Sequence, residues 1–561
     1  MSRSQLTARE TTVLHGLKRP ILPRSFITLA VALFITFIVN NSFMYNIISW
    51  SGSNEIILLV SLLFLLNLML CQLFSIGRAQ TIWLLLLVVI AAFSQYFMQQ
   101  YGVLLDKAML QNALETDNHE IAGLLNLHML TYIAGYIVVP ALFILLPRYK
   151  AQTTGKAAKT YALMLALPAI VASTLVFTQY QSFAPVLREH RDLKHLATPF
   201  NSINAAIGLL KTKTAKANLM PFQRYAEDAR RIAHSTKPQL VVMVLGETVR
   251  ADHLGINGYS RNTTPGLAQQ SVINLGAISS CGTATAISVP CMFSYLNQQN
   301  YDEAIAKNSD NVLDVMQRAG VKVIWRDNNS GCKGMCERVE QDQSFINNNA
   351  FDCKAGSCPD SVLLNGLAQK LQAERNSTNA IFVVLHQQGN HGPEYFKRSL
   401  AEQKQFFPEC ETNLLNECQQ QEIINAYDNA ILATDELLNN TITLLQSLSD
   451  EFDTSMLYVS DHGESLGENG VYLHGLPYWM APDSQTKVPL LMWFSENTIS
   501  NNMLNTACIK NNALQTNSHD MLFDSLLDLM QIETRNARKQ QDIFWGCHNL
   551  AQLNSNENHS S

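Results

Sequence analysis

Five blocks of about 20 apolar residues, the length a bilayer crossing needs, fill the first third of this chain. They are centred on residues 25–41, 56–75, 82–101, 125–146 and 161–180 and are nearly free of charge. Buried core helices of a soluble protein are the rival reading. Five such blocks in succession, apolar on every face, are too long and too uniform for it. The 47% hydrophobic content of the whole chain would hide this, because it is the distribution that is unusual. The sequence therefore predicts a five-helix transmembrane domain over residues 1–180.

Loop charges set the orientation. Arg3, Arg9, Lys18 and Arg24 precede the first block, Arg78 lies in the second loop, and Arg148, Lys150, Lys156 and Lys159 lie in the fourth. The first loop has no Lys or Arg, and in the third Lys107 stands against Asp106, Glu115, Asp117 and Glu120. Basic loops alternate with neutral or acidic ones, so the N-terminus is inside and everything after residue 180 is outside. No small-residue cleavage site follows the first block and further spans do, so it is read as retained rather than as a signal peptide. A formal net charge of -6 argues against nucleic acid as a partner.

Cysteine usage agrees with export. Of 11 cysteines only Cys71 lies in a span; the other ten are even in number and mostly close neighbours. In an oxidising compartment that pattern reads as disulfides. Sequential pairing is expected: Cys281–Cys291, Cys332–Cys336, Cys353–Cys358, Cys410–Cys418 and Cys508–Cys547. A Cys-rich metal site over Cys332, Cys336, Cys353 and Cys358 is the weaker alternative.

Between the third and fourth blocks, Asn112, Thr116 and Glu120 recur at four-residue spacing, which places them on one face of a helix. That face suits either a polar helix resting on the membrane or a rim holding a lipid headgroup. Residues 181–237 alternate basic and apolar side chains, among them Arg188, His190, Arg191, Lys211 and Lys213. They read as amphipathic linker helices on an anionic membrane surface. A soluble domain then spans 238–548, and a polar tail covers 549–561. In that domain, expected strands at 240–245, 321–325, 380–385, 456–460 and 489–494 alternate with helices at 311–319, 361–375, 421–448 and 520–530. The alternation predicts an α/β fold with a mostly parallel sheet and helices on both faces. Such sheets bind ligands beyond the carboxyl ends of their strands.

The strand ends carry the chemistry. The first is followed by Gly246-Glu247-Thr248, and the second by Arg326-Asp327-Asn328-Asn329-Ser330 with Lys333 close behind. The third ends in His386 and then Gly389-Asn390-His391-Gly392, the fourth in Asp461-His462-Gly463-Glu464 with His474 beyond. Any one of these is ordinary as a turn or cap; four at one sheet edge are not. Carboxylate and imidazole together suit a borderline metal, and zinc accepts both. A small-residue segment, 280–291, offers Thr285 at a possible helix start, where free N–H groups favour a phosphate. Thr283 and Ser288 stay open as alternative nucleophiles.

The segments LGET at 245–248, SCGTATAISVPCMFSYL at 280–296, NNSGCKG at 328–334, GNHGP at 389–393 and SDHGESLGENGVYLHG at 460–475 strongly resemble the lipid A phosphoethanolamine transferases. That family includes the mobile colistin-resistance enzymes and falls within the alkaline phosphatase superfamily. The resemblance runs the whole chain and implies a multi-pass protein of the bacterial inner membrane, N-terminus cytoplasmic, with a periplasmic catalytic domain. It implies one tightly bound Zn2+, and possible room for a second. Thr285 would be the nucleophile, and Glu247, Thr285, Asp461 and His462 the zinc ligands. His391 and His474 would bind substrate phosphate or move protons. Glu464, Asn329, Ser330 and Lys333 would line the headgroup site, and Asn112, Thr116 and Glu120 the lipid-facing loop. Phosphatidylethanolamine is then the donor and a lipid A phosphate the acceptor, with a covalent threonine intermediate, a monomeric enzyme and polymyxin resistance as the outcome. A core-sugar or protein acceptor is the alternative, as is a non-catalytic headgroup-binding protein. A sulfatase is disfavoured because Ser288-Val289-Pro290-Cys291-Met292 lacks the Arg of the formylglycine motif.

Overall fold

The computed structural model describes residues 19–50, 53–115, 124–179, 193–217, 221–232, 237–347, 353, 358–502 and 504–548. Thr116, Glu120, Arg188, His190, Arg191, Arg3, Arg9, Lys18 and the tail from Asn549 therefore lie outside the described residues. The chain divides into two compact units, Met1–Gln99 with Leu125–Ala206, and Gln100–Leu124 with Ile207–Ser561. The segment that the sequence places between two spans, Gln100–Leu124, thus belongs to the second unit.

In the first unit four described helices are long and apolar enough to cross a membrane: Asn54–Gln72, Ala79–Tyr101, Leu127–Leu145 and Thr154–Thr178. A fifth is a bent pair, Arg24–Val39 and Asn41–Ser49, turning by 56°. The bend has an identifiable cause. Asn40 leaves the helical region; its backbone N–H still donates to Ile35 O at 3.1 Å, and its side-chain amide donates to Ile35 O at 2.8 Å and to Thr198 O at 2.8 Å. The five apolar blocks of the sequence thus become four unbroken helices and one bent pair.

The second unit is built on a seven-stranded sheet. Its strands are β1 (Gln239–Gly246), β2 (Ile273–Ser279), β3 (Lys322–Asp327), β4 (Glu340–Gln341), β5 (Ala380–His386), β6 (Asp453–Ser460) and β7 (Lys487–Phe494). Their spatial order is β2-β7-β6-β1-β5-β3-β4. The pairs β6–β1, β1–β5, β5–β3 and β3–β4 are parallel, and β7 runs antiparallel to both β6 and β2. Five of these strands are the ones the sequence predicts; the edge strand β2 and the two-residue β4 are additions.

All eight residues of β1 are buried, as a central parallel strand requires. Its side chains alternate between two cores. Val241, Met243 and Leu245 join Trp325, Leu457 and Phe523 on one face. Leu240, Val242 and Val244 join Ile423, Tyr427, Ile431 and Leu438 of the Gln420–Ser447 helix on the other. That helix opens with a reciprocal cap between Gln419 and Glu422. With helices on both faces, the edge where β1, β3, β5 and β6 all end is where such a sheet offers a ligand its place.

Candidate active site

Glu247 follows β1 and Asp461 follows β6, adjacent strands in parallel register, so their carboxylates meet. His462 comes next in the chain. Among the described residues these three each bring a ligand atom within 4.8 Å of the others. His462 Nε2 lies 3.4 Å from Glu247 Oε1 and 3.4 Å from Asp461 Oδ2. All three side chains are fully buried. His462 Nδ1 lies 2.9 Å from the Gly463 carbonyl, which fixes the proton there and leaves Nε2 as the ligand atom.

Thr285 completes the cluster. Its Oγ1 donates to Glu247 at 3.1 and 3.2 Å and stands 3.3 Å from His462 Nε2. It opens the Thr285–Met292 helix, after Ala284 in extended conformation. The Cys281–Cys291 disulfide ties that helix back to the loop leaving β2. The two alternative hydroxyls face elsewhere: Thr283 donates to Leu476 O at 2.6 Å and Ser288 to Asp461 O at 2.5 Å. Of the three candidates only Thr285 looks into the carboxylate cluster.

The charges are unbalanced. Burial, then the nearby Asp461 carboxylate, pushes Glu247 up to about 8. Burial likewise raises Asp461 to about 6. His462 is held down at about 4 by burial and by His474. Among the described residues the buried Asp461 Oδ2 has no hydrogen-bond partner, whereas Oδ1 accepts from the backbone N–H of Thr248 and His462. An orphaned carboxylate oxygen aimed at a second carboxylate and an imidazole is the donor set of a divalent ion, which would offset the burial of both acids.

Behind the cluster, Asn329 donates to Glu247 Oε2 at 2.8 Å and to Gln387 O at 2.7 Å. Lys333 Nζ donates to Ser330 Oγ at 2.8 Å, so the 329–333 turn is one bonded piece. His474 Nδ1 lies 2.7 Å from Glu464 Oε2, and Tyr395 donates to Glu464 Oε1 at 2.6 Å. Burial raises Glu464 to about 8 and lowers His474 to about 4. The His474 ring centroid is 4.5 Å from that of His462 and 5.1 Å from that of His391. Burial also holds His391 well below its ordinary range, so both rings are neutral near pH 7. Asn112 sits half-buried on the Lys107–Glu115 helix, which packs against the Thr285–Met292 helix. On that helix Gln111 donates to Glu303 at 2.8 Å.

Three supporting residues are given no role by the sequence, though His386 is legible there as a strand end. His386, last in β5, pairs through Nδ1 with Asp327 at 2.9 Å; the acid outweighs burial and keeps the ring above its ordinary range. His519 accepts from Cys281 N at 3.1 Å and places Nε2 3.0 Å from Ser460 O, joining the disulfide loop to the end of β6. Arg250 donates to Glu464 O at 3.2 Å and to Glu468 Oε1, pinning the 464–474 turn to the end of β1. His386 is signalled by a polar residue ending an apolar run. Nothing local marks the other two.

The ten cysteines outside the spans pair as 281–291, 332–336, 353–358, 410–418 and 508–547, and Cys71 is free and buried. These are the sequential pairs, and the Cys-rich metal alternative is set aside.

Two family profiles match this chain. One described as sulfatase covers residues 239–532, and one described as phosphoethanolamine transferase EptA/EptB covers 62–214. Phosphoethanolamine transferase EptA of Salmonella typhimurium is 36% identical over 90% of this chain and 90% of its own. Phosphatidylethanolamine transferase Mcr-1 of Escherichia coli is 41% identical over 82% of this chain and 85% of its own. The solved integral membrane protein lipooligosaccharide phosphoethanolamine transferase A of Neisseria meningitidis superimposes with a TM-score of 0.89 at 33% identity, covering 94% of this chain and 100% of that one. With likeness of that extent running through both the membrane helices and the sheet that carries the site, the chain belongs to the EptA-type phosphoethanolamine transferases of the alkaline phosphatase superfamily.

Proposed function

We propose that the chain moves phosphoethanolamine from phosphatidylethanolamine to a phosphate of lipid A through an ester on Thr285. The observation that carries this is the position of the Thr285 hydroxyl, buried within 3.3 Å of two candidate metal ligands. Glu247, Thr285, Asp461 and His462 fit Zn2+, which when bound would favour the Thr285 alkoxide and offset charge on the phosphoryl oxygens. Thr285 Oγ1 attacks phosphorus and the bond to the diacylglycerol oxygen breaks. The leaving oxygen takes up the proton that the Thr285 hydroxyl gives up, relayed by an imidazole; His474, with Nδ1 held by Glu464, and His391 are the candidates. Asn329, Ser330, Lys333 and Glu464 line the headgroup side. Asn112, with Thr116 and Glu120, meets the lipid. A lipid A phosphate oxygen then attacks the Thr285 ester and frees the hydroxyl.

The product carries an ammonium beside each modified phosphate, which weakens the surface for cationic peptides such as polymyxins. On this reading the protein acts as a monomer in the inner membrane, with the second unit in the periplasm. The test is mass spectrometry of full-length protein incubated with phosphatidylethanolamine and no acceptor. A phosphoethanolamine adduct on the peptide holding Thr285, absent in Thr285→Ala and after zinc chelation, is expected. A fully active Thr285→Ala protein would overturn the assignment.

A further inference from the structure

A cavity of about 650 Å3 with basic and amide side chains among its walls lies within the membrane unit. Its walls include Arg24, Thr28, Gln72, Gln80, Tyr149 and Lys150. Arg24 lies over the Tyr149 ring, 4.5 Å from its centroid, and its Nη1 donates to Gln80 Oε1 at 3.0 Å. Gln80 in turn donates to Thr28 Oγ1 at 2.8 Å and to Arg24 O at 3.0 Å. The guanidinium is thus held by neutral groups. Among the described residues no carboxylate pairs with Arg24 or Lys150. The one acid among the described residues of this unit is Glu55, at the far end of the helix that closes with Gln72.

Gln72 supplies an independent sign. It is 4% exposed and faces the cavity, and its side-chain amide has no hydrogen-bond partner among the described residues. Three helices also begin here, at Arg24, Ala79 and Thr154, and none has an acidic residue in its first turn. The partial positive charge of three helix starts therefore adds to that of the two cations. Beside the cavity mouth Phe74 and Ile76 are exposed apolar side chains, 52% and 65%. A ligand entering between the helices meets hydrocarbon outside and, among the described residues, cations with no carboxylate partner within.

We propose that this cavity binds the phosphate of an anionic phospholipid, in the leaflet that the loop charges make cytoplasmic. Basic pockets between span ends commonly hold such headgroups. The leaflet rests on the charge-derived orientation; the binding does not rest on the reaction proposed for Thr285.

The test uses the full-length protein in detergent, with native mass spectrometry after addition of phosphatidylglycerol, phosphatidylcholine or soluble glycerol phosphate. One tightly retained phosphatidylglycerol is expected, with at least tenfold less phosphatidylcholine. Lys150→Gln and the cavity-filling Ala157→Trp should each cut retention at least tenfold, with melting temperature and Thr285 adduct formation near wild type. Arg24→Gln should do the same; were it to misfold, the other two decide. Unchanged retention in folded Lys150→Gln and Ala157→Trp would overturn the proposal. Equal retention of both lipids would overturn the anion, and capture of glycerol phosphate without lipid would overturn the lipid.

Discussion

Gly389 decides whether Glu247 can stand where a metal needs it. The glycine adopts a φ of +52°, and a methyl added there would lie 2.6 Å from the Glu247 carbonyl oxygen and 3.0 Å from its N and Cβ. The turn has no slack to absorb this. Gly389 N and Gln388 N both donate to Asp360 at 2.8 Å, and Asn390 N donates to Glu247 O at 3.0 Å. Restoring ordinary contact means opening 2.6 Å to 3.4 Å, a shift of about 0.8 Å between the two backbones. Left-handed backbone adds roughly 1–2 kcal/mol for any residue with a Cβ. A domain stable by about 5–15 kcal/mol survives that, so Gly389→Ala should fold and melt a few degrees lower. Function should suffer far more, because a displacement near 1 Å costs on the order of 10²-fold in rate. The assay pairs zinc retained after dialysis with diacylglycerol release from fluorescent phosphatidylethanolamine. Gly258→Ala is the control: its φ is +93° and nothing lies within 4 Å of an added methyl, so it carries the strain without the collision. Wild-type zinc retention and rate in Gly389→Ala, or an equal loss in Gly258→Ala, would refute the reasoning.

Three further outcomes follow from the same geometry. Glu247, raised to about 8, binds a proton in the folded metal-free protein that the unfolded chain has released. Its contribution to stability is therefore present at acid pH and lost as pH rises through about 8. The melting temperature of metal-free protein should fall between pH 5 and 8.5, and added zinc should flatten the slope; an upward slope without metal counts against the buried-carboxylate account. Asn329→Ala removes the 2.8 Å donor to Glu247 and should lower zinc affinity and transfer by roughly tenfold, the scale of an outer-shell partner, read by competition with a chromogenic chelator. Replacing Cys281 and Cys291 by Ser opens a ten-residue loop next to Thr285; a loss of about 2–4 kcal/mol should appear in denaturant unfolding, with faster proteolysis around residue 285.

Much of this was legible because its physics is local. A central parallel strand must be apolar throughout, so β1, β5 and β6 announce themselves, and the polar residue ending each run marks the sheet edge. The apolar spans are legible for the same reason, while the Asn40 break is not: it depends on Thr198, 158 residues away. Strand β2 is obscured because Asn274 and Gly276 interrupt it and only one neighbour pairs with it. The choice among Thr283, Thr285 and Ser288 is likewise tertiary. Three hydroxyls in six residues look alike until the partners at Leu476 and Asp461 claim two of them. His519 and Arg250 act through bonds to segments 238 and 214 residues distant, which no spacing encodes.

The site is assembled from groups that oppose folding when no ion balances them. Glu247 and Asp461 are fully buried beside each other, His462 is too depressed to supply a positive charge at neutral pH, and Asp461 Oδ2 has no hydrogen-bond partner among the described residues. Each of these is unfavourable alone. The fold holds them nonetheless through backbone: Thr248 stands at a φ of +55°, giving its N–H to Asp461 Oδ1 while its carbonyl accepts from Tyr427 at 2.6 Å. A non-glycine residue in that conformation persists only where its surroundings over-determine it. The strain, the orphaned oxygen and the raised carboxylates therefore share one explanation. The sheet and the Gln420–Ser447 helix fix the strand ends, so a dication would meet a site already in place. Such a site favours tight and selective metal binding, and it keeps the Thr285 hydroxyl aimed at the cluster before any lipid arrives.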